Sequence, residues 1–324
     1  MAAERKISEG MDRIEKAEKY LKTSLFKWKP DFDSAADEFN KAGTCFKNAR
    51  SYDQAKMAYM RAGQALQNNK ALFHAAKAYE NAAMMLKEMK NLDGAAELME
   101  KAAGMYREHG TPDTAALTLE KAAKMIETVK PARAVELYEH ACEVVELEDR
   151  PRQAVNSLSQ AAKLLVRMKE FDRAVSVLKR ERTMYEEMEN FPSVNRNLVY
   201  TGLVHIHRGD YVAADQVLQH GMRYPGFSDS DMYFGLSQLL TAYDEQDQDR
   251  VNSIVSTPLF TYMDNDIAIN IRVTWRYPEY AKLAKSIRVP GGGGGGKKTA
   301  SLDPGADDTR HQEEEEDEYA GGLC

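Results

Sequence analysis

A pattern of small and large apolar residues, spaced three and four apart, recurs along the first half of the chain and restricts its fold more than any other feature. Its four copies, offset by 40, 40 and 39 residues, span Ala36–Phe46, Ala76–Leu86, Ala116–Ile126 and Val155–Leu165. This spacing places the apolar residues on one face of an α-helix. Each copy therefore predicts a helix with a single buried stripe.

A second stripe of the same kind follows each copy, over Ala55–Leu66, Ala95–Tyr106, Ala134–Val145 and Ala174–Tyr185. Short joints that contain Asn, Asp, Gly or Pro separate the stripes, so each unit is predicted to be an antiparallel helix pair. Apolar residues that should plug the ends of the pairs recur in the joints, at Tyr52, Leu92, Phe171 and Tyr211. Two further units are predicted, over Val194–Leu218 and, more degenerately, Met232–Val255.

Stacked helix pairs predict an all-α fold, a right-handed solenoid of the tetratricopeptide-like kind. The period of about 40 residues exceeds the roughly 34 of tetratricopeptide repeats, so longer helices are expected. We assign residues 1–289 to the solenoid, with a helical-bundle cap towards its C-terminal end. Residues 290–324 form a Gly-rich linker and an acidic tail, predicted to be disordered because they hold too little apolar surface to fold.

The composition indicates a water-soluble, cytoplasmic protein. Hydrophobic residues make up 43% and charged residues 29% of the chain, and no apolar run is long enough for a transmembrane helix or a secretory signal. Three distant cysteines fit reduced thiols. The net charge of −7 is uneven, because nine acidic residues and one arginine follow residue 300 and leave residues 1–300 at +1. A nearly neutral body does not favour a nucleic-acid partner.

No constellation of catalytic, metal-binding or cofactor-binding residues stands out, so we do not expect an enzyme. His205 and His207 are two residues apart on a helix, which places them on different faces, and solvated or capping roles are favoured. The stretch Gly291–Thr299 approaches a phosphate-binding loop, but Lys298 stands where Ser or Thr must hold magnesium. It is interpreted as a linker.

The segment 22–33 between the first two helices shows apolar groups among lysines. Leu25, Phe26 and Trp28 alternate with Lys27 and Lys29 in a stretch too short to bury them by itself. Two interpretations remain open from the residues alone. The aromatic rings either fold back onto the first helix pair or stay exposed for an external surface.

Several phrases of the sequence resemble one protein family, the soluble attachment proteins of the N-ethylmaleimide-sensitive factor. These are the 40-residue helical pair, the apolar loop, the acidic tail with a Leu before the last residue, and the words KWKPDFDSAA, ALFHAAKAYE, GTPDTAA, YMDND and DEYAGGLC. One departure is the stretch Ile267–Glu279, which has a strand-like alternation and no counterpart in the family pattern.

The resemblance implies an adaptor that binds the SNARE four-helix bundle and presents it to a hexameric ATPase for disassembly. The setting would be vesicle fusion and membrane trafficking, including transport between endoplasmic reticulum and Golgi. It also implies peripheral membrane contact through Leu25, Phe26 and Trp28, aided by Lys27 and Lys29. The ATPase would be stimulated by the tail, through Leu323 and Tyr319.

Basic residues that recur near corresponding places in the first helices are the predicted SNARE contacts: Lys47, Lys87, Lys124, Lys163 and Arg167. The main alternative function is a tetratricopeptide-like scaffold for an unrelated protein partner. A subunit of a large assembly such as the proteasome lid is less favoured, because it should end in a winged-helix module that needs strands.

Overall fold

The computed structural model describes residues 2–23, 28–146, 151–263 and 279–290. Within these ranges the protein is an all-α helical-repeat solenoid, as the sequence predicts. Its helices are α1 (Ala2–Leu21), α2 (Phe32–Asn48), α3 (Tyr52–Asn68), α4 (Leu72–Glu88), α5 (Leu92–Glu108), α6 (Pro112–Ile126), α7 (Pro131–Glu146), α8 (Pro151–Arg167), α9 (Phe171–Glu187), α10 (Phe191–His207), α11 (Tyr211–Gly221), α12 (Asp231–Asp244), α13 (Gln248–Val255), α14 (Pro258–Thr261) and α15 (Glu279–Lys285).

The repeat is built from a unit half as long as the pattern suggested. From α2 to α5 every helix has 17 residues, and each begins 20 residues after the one before it. A three-residue joint therefore connects each helix to its neighbour. Only the small and large residues at the interfaces make the period 40 rather than 20.

The joints reverse the chain by placing one residue in the left-handed region. Arg50, Lys70 and Lys90 have φ of 58°, 59° and 61°, and Gly110 has 86°. In the first joint the amide of Arg50 donates to the carbonyl of Lys47, and that of Ser51 donates to Phe46. This double bond satisfies carbonyls at the helix end, as in a Schellman motif.

The joint between α6 and α7 differs and accounts for the 39-residue offset. Pro131 begins α7, and the amides of Val129 and Lys130 both donate to the carbonyl of Ile126, at 3.0 and 2.7 Å. Among residues 127–130 of this described joint, none has a positive φ. The turn is therefore one residue shorter than the others.

Alanine and glycine let consecutive helices approach each other closely. The predicted stripe residues Ala36, Phe39 and Ala42 of α2 are buried. Gly43 lies against the ring of Tyr59 on α3, so a Cβ there would come within 2.7 Å of that ring. The predicted plugs, Tyr52, Leu92, Phe171 and Tyr211, are each the first residue of a helix and are half-buried against the core.

Side-chain bonds divide the stack into two layers of parallel helices. Within the even layer (α2, α4, α6, α8 and α10), Thr118 Oγ1 donates to Glu80 Oε1 at 3.1 Å, linking α6 to α4. Within the odd layer (α1, α3, α5, α7, α9 and α11), Arg61 Nη1 lies 2.9 Å from Glu18 Oε1 and links α3 to α1. Neighbours in one layer point the same way because each consecutive pair is antiparallel.

The last helices close the end of the stack. After residues 264–278, α15 returns to pack on α8 and α10. The ring of Tyr280 stacks on that of Tyr200 at 3.9 Å, and the Tyr200 hydroxyl donates to the carbonyl of Met263 at 2.6 Å. The strand-like stretch Ile267–Glu279 lies outside the described residues except for Glu279, which begins α15.

Candidate partner-binding surface

All five cations predicted to bind a partner lie in the even layer, along one edge. Their helices are parallel, and each cation is in the last two turns of its helix. We call this set the basic row, and its members are Lys47, Lys87, Lys124, Lys163 and Arg167. The fold thus aligns charges that are up to 120 residues apart in the sequence.

Three members of the row are directed to solvent. Lys47, Lys87 and Lys124 are exposed at the ends of α2, α4 and α6. They occupy the C-terminal turns, where a cation also interacts favourably with the helix dipole. Such side chains can meet an acidic partner without a change in the fold.

Lys163 and Arg167 are half-buried and also have contacts inside the protein. Arg167 Nη2 donates to the carbonyl of Glu127 at 2.9 Å, which ties α8 to the end of α6. The charge of Lys163 acts on Glu181 of the next helix. The sequence gave no sign of these internal contacts, because both residues have the type and spacing of solvated cations.

Glu181 is the buried carboxylate of this region. It occupies the place that Ala62, Ala102 and Ala141 hold in the other units, and it is 4% exposed. Asn197 Nδ2 donates to its Oε2 at 2.9 Å, and the Tyr185 hydroxyl donates to Oε1 at 3.3 Å. Burial raises the pKa of Glu181 to about 7, against the hydrogen bond from Asn197 and the charge of Lys163. A glutamate at an alanine position was the visible signal.

The two layers also differ in charge. The even helices α2, α4, α6 and α8 carry nine basic and seven acidic residues, a net of +2. The odd helices α3, α5, α7 and α9 carry nine basic and thirteen acidic residues, a net of −4. An acidic partner is therefore favoured on the even layer.

The loop between α1 and α2 exposes its tryptophan. Trp28 is 90% exposed, so its ring does not fold back onto the first helix pair, and Lys29 is exposed beside it. The amide of Asp31 donates to the carbonyl of Tyr20 at 3.0 Å and closes the base of the loop. Leu25, Phe26 and Lys27 lie outside the described residues, as do Tyr319 and Leu323 of the tail.

The two histidines are less solvated than the sequence suggested. His205 is half-buried with Nδ1 3.9 Å from Asp210 Oδ2, and burial lowers the pKa of its ring. The ring of His207 packs on Phe171 with a centroid distance of 5.0 Å, and its Nδ1 lies 3.0 Å from Ser286 Oγ. Both side chains serve helix packing.

Two searches of the described residues returned nothing. They contain no group of three or more His, Cys, Asp or Glu side chains arranged to hold a metal ion. Nor do their helices include one that combines the length and apolar character needed to cross a bilayer.

Comparison with known proteins adds the family. The family model described as soluble NSF attachment protein matches residues 8–257. The chain belongs to the soluble NSF attachment protein family. A gamma-soluble NSF attachment protein of Dictyostelium discoideum is 30% identical over 260 residues, which cover 80% of each chain. One of the same name from Arabidopsis thaliana is 26% identical over 144 residues, covering 44% of this chain and 50% of that one.

The resemblance inferred from the sequence phrases is thereby confirmed, down to the gamma form of the relatives. Among solved structures, aspartyl phosphate phosphatase F from Bacillus subtilis is 16% identical, with a TM-score of 0.38 and coverage of 79% of this chain and 72% of that chain.

Proposed function

We propose that this protein is a non-enzymatic adaptor that binds assembled SNARE bundles and recruits the N-ethylmaleimide-sensitive factor, a hexameric ATPase, to take them apart. The observation that carries the proposal is the family match over residues 8–257, nearly the whole solenoid. The names of the relatives support attachment to this factor. The adaptor acts from the cytoplasmic side and touches the membrane peripherally.

The basic row supports a specific mode of binding. The bundle lies across the even layer, and Lys47, Lys87 and Lys124 contact acidic side chains along it. Lys163 and Arg167 contribute charge at the far end of the row. Exposed ion pairs of this kind contribute about 0.2–1 kcal/mol each and weaken as salt rises, so affinity depends on several of them together.

A binding assay with assembled bundles tests the proposal. We expect wild type to be retained on immobilised assembled SNARE bundles and not on single SNARE chains. Lys124→Glu should weaken retention roughly tenfold, because a repulsive charge replaces an attractive one. Lys179→Glu makes the same charge change on exposed α9 of the odd layer and should bind as wild type does.

Both variants should keep the helical circular dichroism of wild type. Equal loss of retention in the two variants would contradict the role of the even layer. Absence of wild-type retention would contradict the SNARE adaptor and favour a scaffold for another partner. Lys163→Glu is a poorer probe, since it would add a second carboxylate close to buried Glu181.

The tail is proposed to stimulate the ATPase, with Leu323 as principal contact, Tyr319 as a second anchor and Glu313–Glu318 as electrostatic guide. One buried Leu contributes about 1.5–3 kcal/mol, enough to bias a conformational step. Leu323→Ala should form the complex of bundle, adaptor and ATPase normally but should not raise ATP turnover or disassemble the bundle. Leu302→Ala, in the same tail, is the matched control. Disassembly by Leu323→Ala at the wild-type rate would remove the tail from the mechanism.

A further inference from the structure

Helix α15 adds positive charge to the even layer from a distant part of the sequence. It packs on α8 and α10, and Ser286 Oγ lies 3.0 Å from His207 Nδ1 at the C-terminal end of α10. This contact places Lys282 and Lys285 near the end of the basic row. Both lysines are exposed, as is Arg288 just beyond them.

The joint between α8 and α9 contributes a further cation at the same corner. Lys169 acts on His207, whose pKa is lowered by burial and by that charge. We call the whole set the basic corner, and its members are Arg167, Lys169, Lys282, Lys285 and Arg288.

The nearest carboxylates already have cationic partners. Glu170 lies 2.9 Å from Arg173, and Asp172 lies 2.8 Å from Arg208. The corner therefore keeps an excess of positive charge.

The acidic tail starts from this corner. The described chain ends at Pro290, two residues after Arg288, and 22 residues separate Pro290 from Glu313. A Gly-rich chain of this length spans about 25 Å on average, roughly the length of α8. The run Glu313–Glu318 can thus reach the corner but seldom the far end of the stack.

We propose that the acidic run Glu313–Glu318 docks on the basic corner of its own chain. Tethering holds the run at roughly millimolar effective concentration, so weak ion pairs suffice for binding. The contact masks the end of the basic row until an acidic partner displaces it. That competition rests on the proposed SNARE-bundle function, whereas the intramolecular contact does not.

Zero-length carbodiimide cross-linking of the full chain tests the contact without any partner. This reagent joins a carboxylate to an amine only where the two touch. At about 0.05 M salt we expect monomeric products that join residues 313–318 to Lys282 or Lys285, several-fold more abundant than products with Lys179 of the odd layer. At about 0.5 M salt their yield should fall several-fold.

Two variants complete the test. A chain with the six acidic residues of the run changed to amides should lose those products. In a second assay, a fluorophore on Cys324 reports tail mobility, since Cys45 and Cys142 are buried and burial raises the pKa of both thiols. Lys282→Glu with Lys285→Glu should lower its anisotropy, whereas Lys179→Glu should not. Cross-links spread evenly over lysines of both layers, or anisotropy unaffected by the double variant, would overturn the proposal.

Discussion

At the scale of single residues, Glu181 is where the chain departs most from its own pattern. The folded protein raises the pKa of this carboxyl to about 7, above its usual value in an unfolded chain. The native state therefore binds the proton more tightly than the unfolded state does. Its contribution to stability is fully present below the unfolded pKa and is lost as pH rises to about 7.

Glu181→Gln should remove this pH dependence. Relative to wild type, the free energy of unfolding of the variant should rise between about pH 4.5 and 7.5, by on the order of 1–3 kcal/mol. Urea unfolding at several pH values measures the difference. Glu187→Gln, at an exposed position of the same helix, is the control. Parallel pH curves for Glu181→Gln and wild type would show that the carboxyl does not titrate in this range.

Trp28 is the residue whose exposure most needs an external partner. Insertion of an aromatic ring of this size in a bilayer contributes about 1.5–3 kcal/mol, and each nearby lysine adds about 1 kcal/mol on an anionic surface. Trp28→Ser should therefore reduce flotation with anionic liposomes by roughly tenfold or more. Val212→Ser changes another exposed apolar residue, on α11, and should float as wild type does. Undiminished flotation of Trp28→Ser would rule out this membrane contact.

At the scale of helices, the stack depends on glycine at close contacts and tolerates it elsewhere. Gly43 faces the Tyr59 ring, whereas Gly104 of α5 is exposed with no atom within 4 Å of an added Cβ. Alanine improves helix propensity equally at both sites, by about 0.5–1 kcal/mol. The difference between the two substitutions therefore measures the clash.

We expect Gly104→Ala to raise the free energy of unfolding by about 0.5–1 kcal/mol. Gly43→Ala should lower it by about 1–3 kcal/mol, because the ring cannot shift without disturbing the α2–α3 interface. Thermal and urea denaturation decide the sign for each variant. A stabilised Gly43→Ala would mean that the interface has room which the packing of Tyr59 does not show.

The helices themselves could be predicted well because their information is local. Stripes such as Ala36–Phe46 announce both the helix and the face it buries. The joints were harder, since non-glycine residues such as Lys70 adopt a left-handed φ that their type does not favour. Bonds from two amides to the end of the preceding helix hold that conformation, and a spacing argument does not contain them.

At the scale of the whole molecule, the two layers present different surfaces to a partner. The even layer carries the basic row and receives α15, while the odd layer is net acidic in α3, α5, α7 and α9. Ion pairs within the odd layer, such as Arg133–Glu100 at 2.6 Å, tie its helices together. Charge is thus separated by layer even though every helix mixes both signs.

The sequence alone determined that this protein is a stack of antiparallel helices and which family it belongs to, because periodicity and family phrases are readable residue by residue. Only the tertiary structure decided that Glu181 is buried beside Asn197, that Trp28 faces solvent and that Lys285 joins the end of the basic row. Each of these depends on which helices meet across about 15 to 120 residues of chain. Spacing along a helix specifies a face, and it does not specify what that face will touch.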